Sequence, residues 1–249
     1  MKIRRIVVGL DIAPHSRSAL AAAASLAGEL DADLEAVFVE SDELHRLAGL
    51  PFARELGHSS ASARRIDPAA LERSLRAHAD EARRALTALA GPRAVRWSLR
   101  VTRGSVTEEV RAAATGADLT IVGISRWGPE AMRLAREAPV TLVVLSGGGS
   151  ARGPLAVICP VTVAPEPAVS LACSLARAIG EGLTILAVGD DVEEAARWCA
   201  EAAALLARLG RKASLEIVRD WQAEALEVAL ERLAPRAVAI VAPTPPGAR

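Results

Sequence analysis

Residues 5–14 read RIVVGLDIAP and residues 156–165 read AVICPVTVAP, and laying one over the other puts the two Ala-Pro pairs in register. Both stretches are almost continuously apolar over the length of a strand, which is the pattern of a strand buried on both faces. Each leads into an alanine-rich helical segment containing Ser-Leu-Ala, at 25–27 and at 174–176. Farther along, Arg103 falls over Arg219 and Glu108 over Glu224. The chain therefore contains an internal repeat, and each copy opens on a buried strand.

The same alternation extends outward from these two strands. The first copy predicts strands over 3–10, 34–39, 95–102, 119–123 and 140–145. Helices fall between them over 16–30, 68–89, 106–115 and 129–137. Asp67-Pro68 marks the start of the long helix, an acid cap followed by proline at the first helical position. Ser16 or His15 stands where the first helix needs its cap. The second copy predicts strands over 155–161, 183–188, 213–218 and 237–241, with helices over 167–179, 192–209 and 223–233. Strand–helix alternation of this kind requires right-handed crossovers and a parallel sheet covered on both faces. The expectation is an α/β chain of two doubly wound domains, 1–146 and 154–249, with five strands and then four. The glycine-rich stretch 147–153 is the linker. Nothing in the proline-rich tail 243–249 can pair as a fifth strand of the second domain.

Composition narrows the function. Thirty basic and thirty acidic residues cancel, so no bulk positive charge exists to hold nucleic acid. Two Phe, four Trp and no Tyr are too few for a base-stacking platform. No apolar run approaches the roughly 20 residues of a membrane span, and the N-terminal stretch lacks a signal-peptide cleavage site. Cys159, Cys173 and Cys199 form no Cys-x-x-Cys pair, which predicts free thiols in a reducing, cytoplasmic setting. No Gly-x-Ser-x-Gly elbow, His-Glu-x-x-His or Walker loop is present, and no ligand cluster for a metal is legible. The reading is a binding protein with no catalytic residues and no metal.

In an open parallel sheet, ligands sit beyond the carboxyl ends of the strands. That rule directs attention to Asp11 and Ile12, Val39 and Glu40, Arg103 and Gly104, and residues 123–128. Three segments here carry a family resemblance: VVGLDIAPHSRSAL (7–20), VTRGSVTEEV (101–110) and ADLTIVGISRWG (117–128). In order and spacing they resemble the opening strand, the third-strand loop and the fourth-strand glycine loop of the universal stress proteins. The resemblance covers 1–146, with a weaker echo in 154–242. It implies a regulatory, stress-response module that takes ATP or AMP. Asp11, Ile12 and Val39 would then face base and ribose, Gly104 would line the crevice, and Gly123 would open the phosphate loop with Ser125, Arg126 and Gly128.

The chain departs from that pattern in the loop itself. Family members that bind ATP carry Gly, two residues, Gly, nine residues, Gly, then Ser or Thr. Here Arg126 takes the second glycine's place, Pro129 follows Gly128 directly, and no Gly, Ser or Thr lies between Pro129 and Pro139. Arg126 is the one replacement able to pair with a phosphate. The second copy has Thr162 in place of Asp11 and Asp220 in place of Gly104, which reads as a structural half.

The resemblance also implies self-association through the fifth strand, as a homodimer across 140–145 or as a pseudo-dimer of the two repeats within one chain. The polar, irregular insertion 41–66 is a candidate lid, and 44–57 within it a candidate protein-docking element. The competing reading of that segment has Leu47, Leu50 and Phe52 plugging their own core. Two rival functions stay open: a protein-interaction scaffold without nucleotide, for example beside a transporter, and a weak ATP hydrolase.

Overall fold

The computed structural model describes residues 3–50, 52–56, 63–124, 141–146, 153–179, 182–219, 223–235 and 237–241. The chain begins β1 (Arg5–Leu10), α1 (His15–Leu30), β2 (Asp33–Ser41) and α2 (Asp42–Gly49). A short antiparallel hairpin follows, β3 (Arg54–Leu56) with β4 (Ala63–Arg65), then α3 (Pro68–Ala90), β5 (Trp97–Gly104), α4 (Val106–Ala114), β6 (Leu119–Ile124) and β7 (Thr141–Ser146). The second half runs β8 (Leu155–Pro160), α5 (Pro165–Ile179), β9 (Leu183–Val188), α6 (Val192–Arg208), β10 (Ser214–Val218), α7 (Ala223–Leu233) and β11 (Ala237–Ile240). The helix expected over 129–137 lies outside the described residues, as does the glycine linker apart from Gly153.

The α/β reading holds, and the parallel sheets of the two halves join into one nine-stranded sheet. Its order is β10-β9-β8-β11-β7-β6-β1-β2-β5. Each half contributes four parallel strands in the same order, β5-β2-β1-β6 on one side and β10-β9-β8-β11 on the other. β7 lies between them, parallel to β6 and antiparallel to β11, with Leu142 opposite Ile240 and Leu145 opposite Ala237. The division into five strands and then four becomes four and four around a shared strand. The reason is an edge problem. All four residues of β11 are buried, and an open edge beside them would leave backbone groups unpaired in an apolar setting.

This pairing corrects the homodimer expected through 140–145. The free edge of that strand is already taken by β11 of the same chain, so the junction is the intramolecular pseudo-dimer. On one face of the sheet a single apolar cluster runs across the junction. It includes Leu26, Phe38 and Leu119 from the first half and Leu155, Val169 and Leu175 from the second. Helix α1 packs against α3 on one side and α5 on the other, and Glu29 meets Arg177 at 2.8 Å across the halves. Each large side chain fully buried there contributes about 1.5–3 kcal/mol. On the opposite face, Val110 and Val122 of the first half join Ile158, Leu226 and Ile240 of the second.

Caps set the helix starts. Asp67 accepts from Ala69 N at 3.0 Å ahead of Pro68, as its sequence predicts, and Asp191 accepts from Glu193 N and Glu194 N. Helix α1 is different. Pro14 occupies its cap position with no side-chain cap, and Ser16 lies inside the first turn. The three cysteines are free, Cys159 and Cys173 buried, and burial pushes all three thiols upward.

Candidate functional site

Strand alternation sorts the residues at the carboxyl end of the first-half sheet onto two faces. On β2, Leu34, Ala36 and Phe38 point toward α1 and α3, whereas Val37 and Val39 join Val7, Ala113 and Ala117 on the α4 face. A cavity of about 300 Å³ opens on the α1 side, between the end of β1, the start of α1 and the middle of α3. Leu10, Leu20 and Phe38 make its apolar floor, with Ala82 and Ala85 along α3. Asp11, Ile12, Ser16 and the pair Arg17–Glu81 form the rim, together with His78. Such an apolar pocket with a few convergent polar groups suits a small ligand carrying a flat apolar body and a polar end.

Asp11 has a structural role and a spare oxygen. Its Oδ1 accepts from Ala13 N at 2.9 Å and from Ser16 Oγ at 2.6 Å, while Ser16 Oγ accepts from Asp11 N at 3.0 Å. These bonds fix the turn into α1, which explains why Ser16 is not its cap. Among the described residues Oδ2 has no hydrogen-bond partner. The carboxylate is partly exposed at the cavity rim and can accept from a ligand hydroxyl there.

The sequence-predicted residues divide as follows. Asp11 and Ile12 line the cavity. The Val39 side chain is buried on the opposite face, and its neighbour Phe38 is the β2 residue that reaches the cavity. Gly104 ends β5 with φ +156°, where an added Cβ would lie 3.0 Å from Glu109 Oε1. Gly123, the penultimate residue of β6, lies beneath the first turn of α1, and an added Cβ would lie 2.8 Å from His15 O and 2.7 Å from His15 Cδ2. Ser125, Arg126 and Gly128 fall outside the described residues. The close approach at Gly123 yields a test. Gly123→Ala forces α1 away from the sheet and should cost about 1–3 kcal/mol, read as a lowered urea midpoint at unchanged slope.

In the second half a tryptophan occupies the comparable position. Trp198 of α6 is buried, and its Nε1 donates to Val163 O at 2.7 Å. Val163 corresponds to Ile12 in the repeat, and α6 to α3. An indole therefore covers the strand end where α3 presents Ala82 and Ala85. The sequence signal for this cover is Trp198 itself.

A second cluster lies beyond the ends of β2 and β5. Arg103 Nη2 reaches Glu40 Oε2 at 3.3 Å and Glu72 Oε1 at 3.0 Å, and His45 Nε2 lies 3.1 Å from the same Glu72 oxygen. Burial pulls the Glu72 carboxyl upward, but the bonds from His45 and Arg103 and their charges outweigh it, leaving it below the usual range. The cluster ties α2 to α3, so the insertion expected to be irregular holds a helix and a hairpin. Leu47, Leu50 and Phe52 do not plug a core: Phe52 is 75% exposed and the two leucines about two-fifths.

The fold has known counterparts among solved structures. One from Archaeoglobus fulgidus DSM 4304, a universal stress protein, superposes with a TM-score of 0.56 at 11% identity, over 97% of this chain and 99% of that one. A Pseudomonas aeruginosa UCBPP-PA14 protein classed with the same family gives 0.51 at 15% identity, over 96% and 93%. The chain has the universal stress protein fold. No family model matches the sequence, and no curated protein does. Within the universal-stress-protein fold, the cavity beside Asp11 lies where open α/β sheets place their ligands. Among the described residues no helix is long and apolar enough to cross a membrane.

Proposed function

We propose that this protein is a regulatory module that takes an adenine nucleotide in its first half, with the nucleoside end in the cavity beside Asp11. The observation that carries this reading is Asp11, whose Oδ2 has no hydrogen-bond partner among the described residues, at the rim of a cavity floored by Leu10, Leu20 and Phe38. A base would rest on that floor, and a ribose hydroxyl would donate to Asp11. The second half serves as a rigid support, since its corresponding strand end is covered by Trp198.

Calorimetric titration of ATP, ADP, AMP and adenosine tests the reading, with Asp11→Asn as the control. Asparagine keeps an acceptor for Ala13 N, so the turn survives while the charge at Oδ2 is lost. Micromolar binding weakened about 10- to 100-fold in the variant is the expected outcome, the range for one hydrogen bond to a charged group. No heat from any of the four at millimolar concentration would overturn it.

The apolar lid surface favours a second reading, a scaffold that docks a protein on Leu47, Leu50 and Phe52. It is separated from the first by the same titration, because a pure scaffold binds none of the four compounds.

A further inference from the structure

The cluster beyond the β2 and β5 ends has the make-up of a metal site. Glu40 comes from the end of β2, His45 from α2 and Glu72 from α3, and one ligand atom from each lies within 4.8 Å of the other two. The side chains of Glu40 and His45 are mostly buried, at 13% and 18% exposure. Tetrahedral binding of a small dication at about 2.0–2.2 Å needs ligand atoms roughly 3.3–3.5 Å apart, so the three need only small movements.

The orientation of His45 also fits a ligand. Its Nδ1 lies 3.0 Å from the carbonyl oxygen of Ser41, a backbone group outside the cluster. A carbonyl only accepts, so Nδ1 carries the hydrogen, and Nε2 is the ring nitrogen turned toward the cluster. Nε2 lies 3.1 Å from Glu72 Oε1. A proton on Nε2 or a metal ion in its place can join the two groups, so a metal here competes with that proton. Metal-binding imidazoles are held in the same manner, with the far nitrogen donating to a carbonyl or carboxylate.

On the other side Arg103 already holds the two carboxylates together, its Nη2 bridging Glu40 and Glu72. Arg76 lies farther out, 4.0 Å from Glu72 Oε2. Arg103 sits at the end of an edge strand, its side chain about half exposed, immediately before Gly104. It can swing into water without disturbing a packed neighbour.

We propose that Glu40, His45 and Glu72 bind a transition-metal dication of the zinc class, which locks α2 onto α3, and that Arg103 is the internal cation that the metal displaces. One imidazole and two carboxylates suit zinc, cobalt or nickel, whereas calcium and magnesium favour all-oxygen sites. The inference is independent of the nucleotide reading, since none of the four residues lines the cavity.

The test is titration of Co²⁺, then Zn²⁺, into the full chain, followed by visible absorption and calorimetry. One equivalent of cobalt should bind with a tetrahedral spectrum lacking a thiolate charge-transfer band, and zinc should displace it. His45→Gln and Glu72→Gln, near-isosteric changes, should each weaken binding at least about tenfold, and His78→Ala should leave it unchanged. Arg103→Ala should tighten it about tenfold by removing a competing positive charge. Circular dichroism of each variant confirms that the fold is intact. Absence of a saturable equivalent would overturn the site. So would a thiolate band, indifference to both glutamine replacements, or equal affinity for Ca²⁺. If Arg103→Ala weakens binding, the displacement role is wrong.

Discussion

Ala239→Pro should unfold the protein as a whole, lowering its stability by at least about 3 kcal/mol. Ala239 is fully buried in β11, opposite Val157 on β8 and Val143 on β7. Proline has no N–H to give to either ladder, and its ring does not fit within a central strand. The position matters because β11 and β7 form the only strand junction between the two halves within the described sheet. The face beneath it is one continuous apolar cluster, so neither half can open there without exposing core to water. Urea unfolding followed by circular dichroism should show a single transition in the wild type and a large fall of its midpoint in the variant. A variant with the wild-type midpoint would mean that β11 is dispensable and the nine-stranded sheet is not the folded unit.

Phe38→Ala carries the second large effect, about 3–5 kcal/mol, the usual range for truncating a buried phenylalanine. The ring is 1% exposed and serves two structures at once, the apolar core under α1 and the floor of the cavity. For a chain of this size the loss corresponds to a melting temperature lower by roughly 6–20 °C. Phe38→Leu refills most of the volume and should recover most of the stability. If the cavity takes a flat apolar group, ligand affinity should follow the same order: wild type, then leucine, then alanine. Affinity unchanged in the alanine variant would place the ligand elsewhere.

Much of the fold was legible in the residues. The buried strands stand out because parallel strands covered on both faces are continuously apolar, as in IVVGL and LTILAV. The long helix announces itself through Asp67-Pro68, and that cap is observed. The insertion was harder. Its helix α2 is short, and short helices form by packing rather than by intrinsic preference. Its anchor, the His45–Glu72 contact, joins residues 27 apart, which no local pattern reveals. Ser16 was misread for a related reason. Serine at a helix start normally caps, and only the fold of the loop shows it bonded to Asp11 instead.

The candidate site was legible to the same degree. Asp11 and Ile12, to which the visible end of β1 directs attention, line the cavity. The Val39 side chain lies on the face away from the cavity, and its neighbour Phe38 is the β2 side chain that reaches it. A strand buried on both sides gives no polar alternation from which to tell which face is which.

The sequence by itself determined the alternation of strands and helices, the repeat, and the loop that ends β1, because these follow from local hydrophobic pattern and from turn chemistry. Tertiary structure decided how the halves join, which face of β2 meets the cavity, and which charges gather around Glu72. Those outcomes depend on pairing an exposed edge and burying shared apolar surface between segments far apart in the chain. Hydrophobic period and capping residues encode what one segment prefers. They do not encode which distant segment will satisfy its remaining hydrogen bonds.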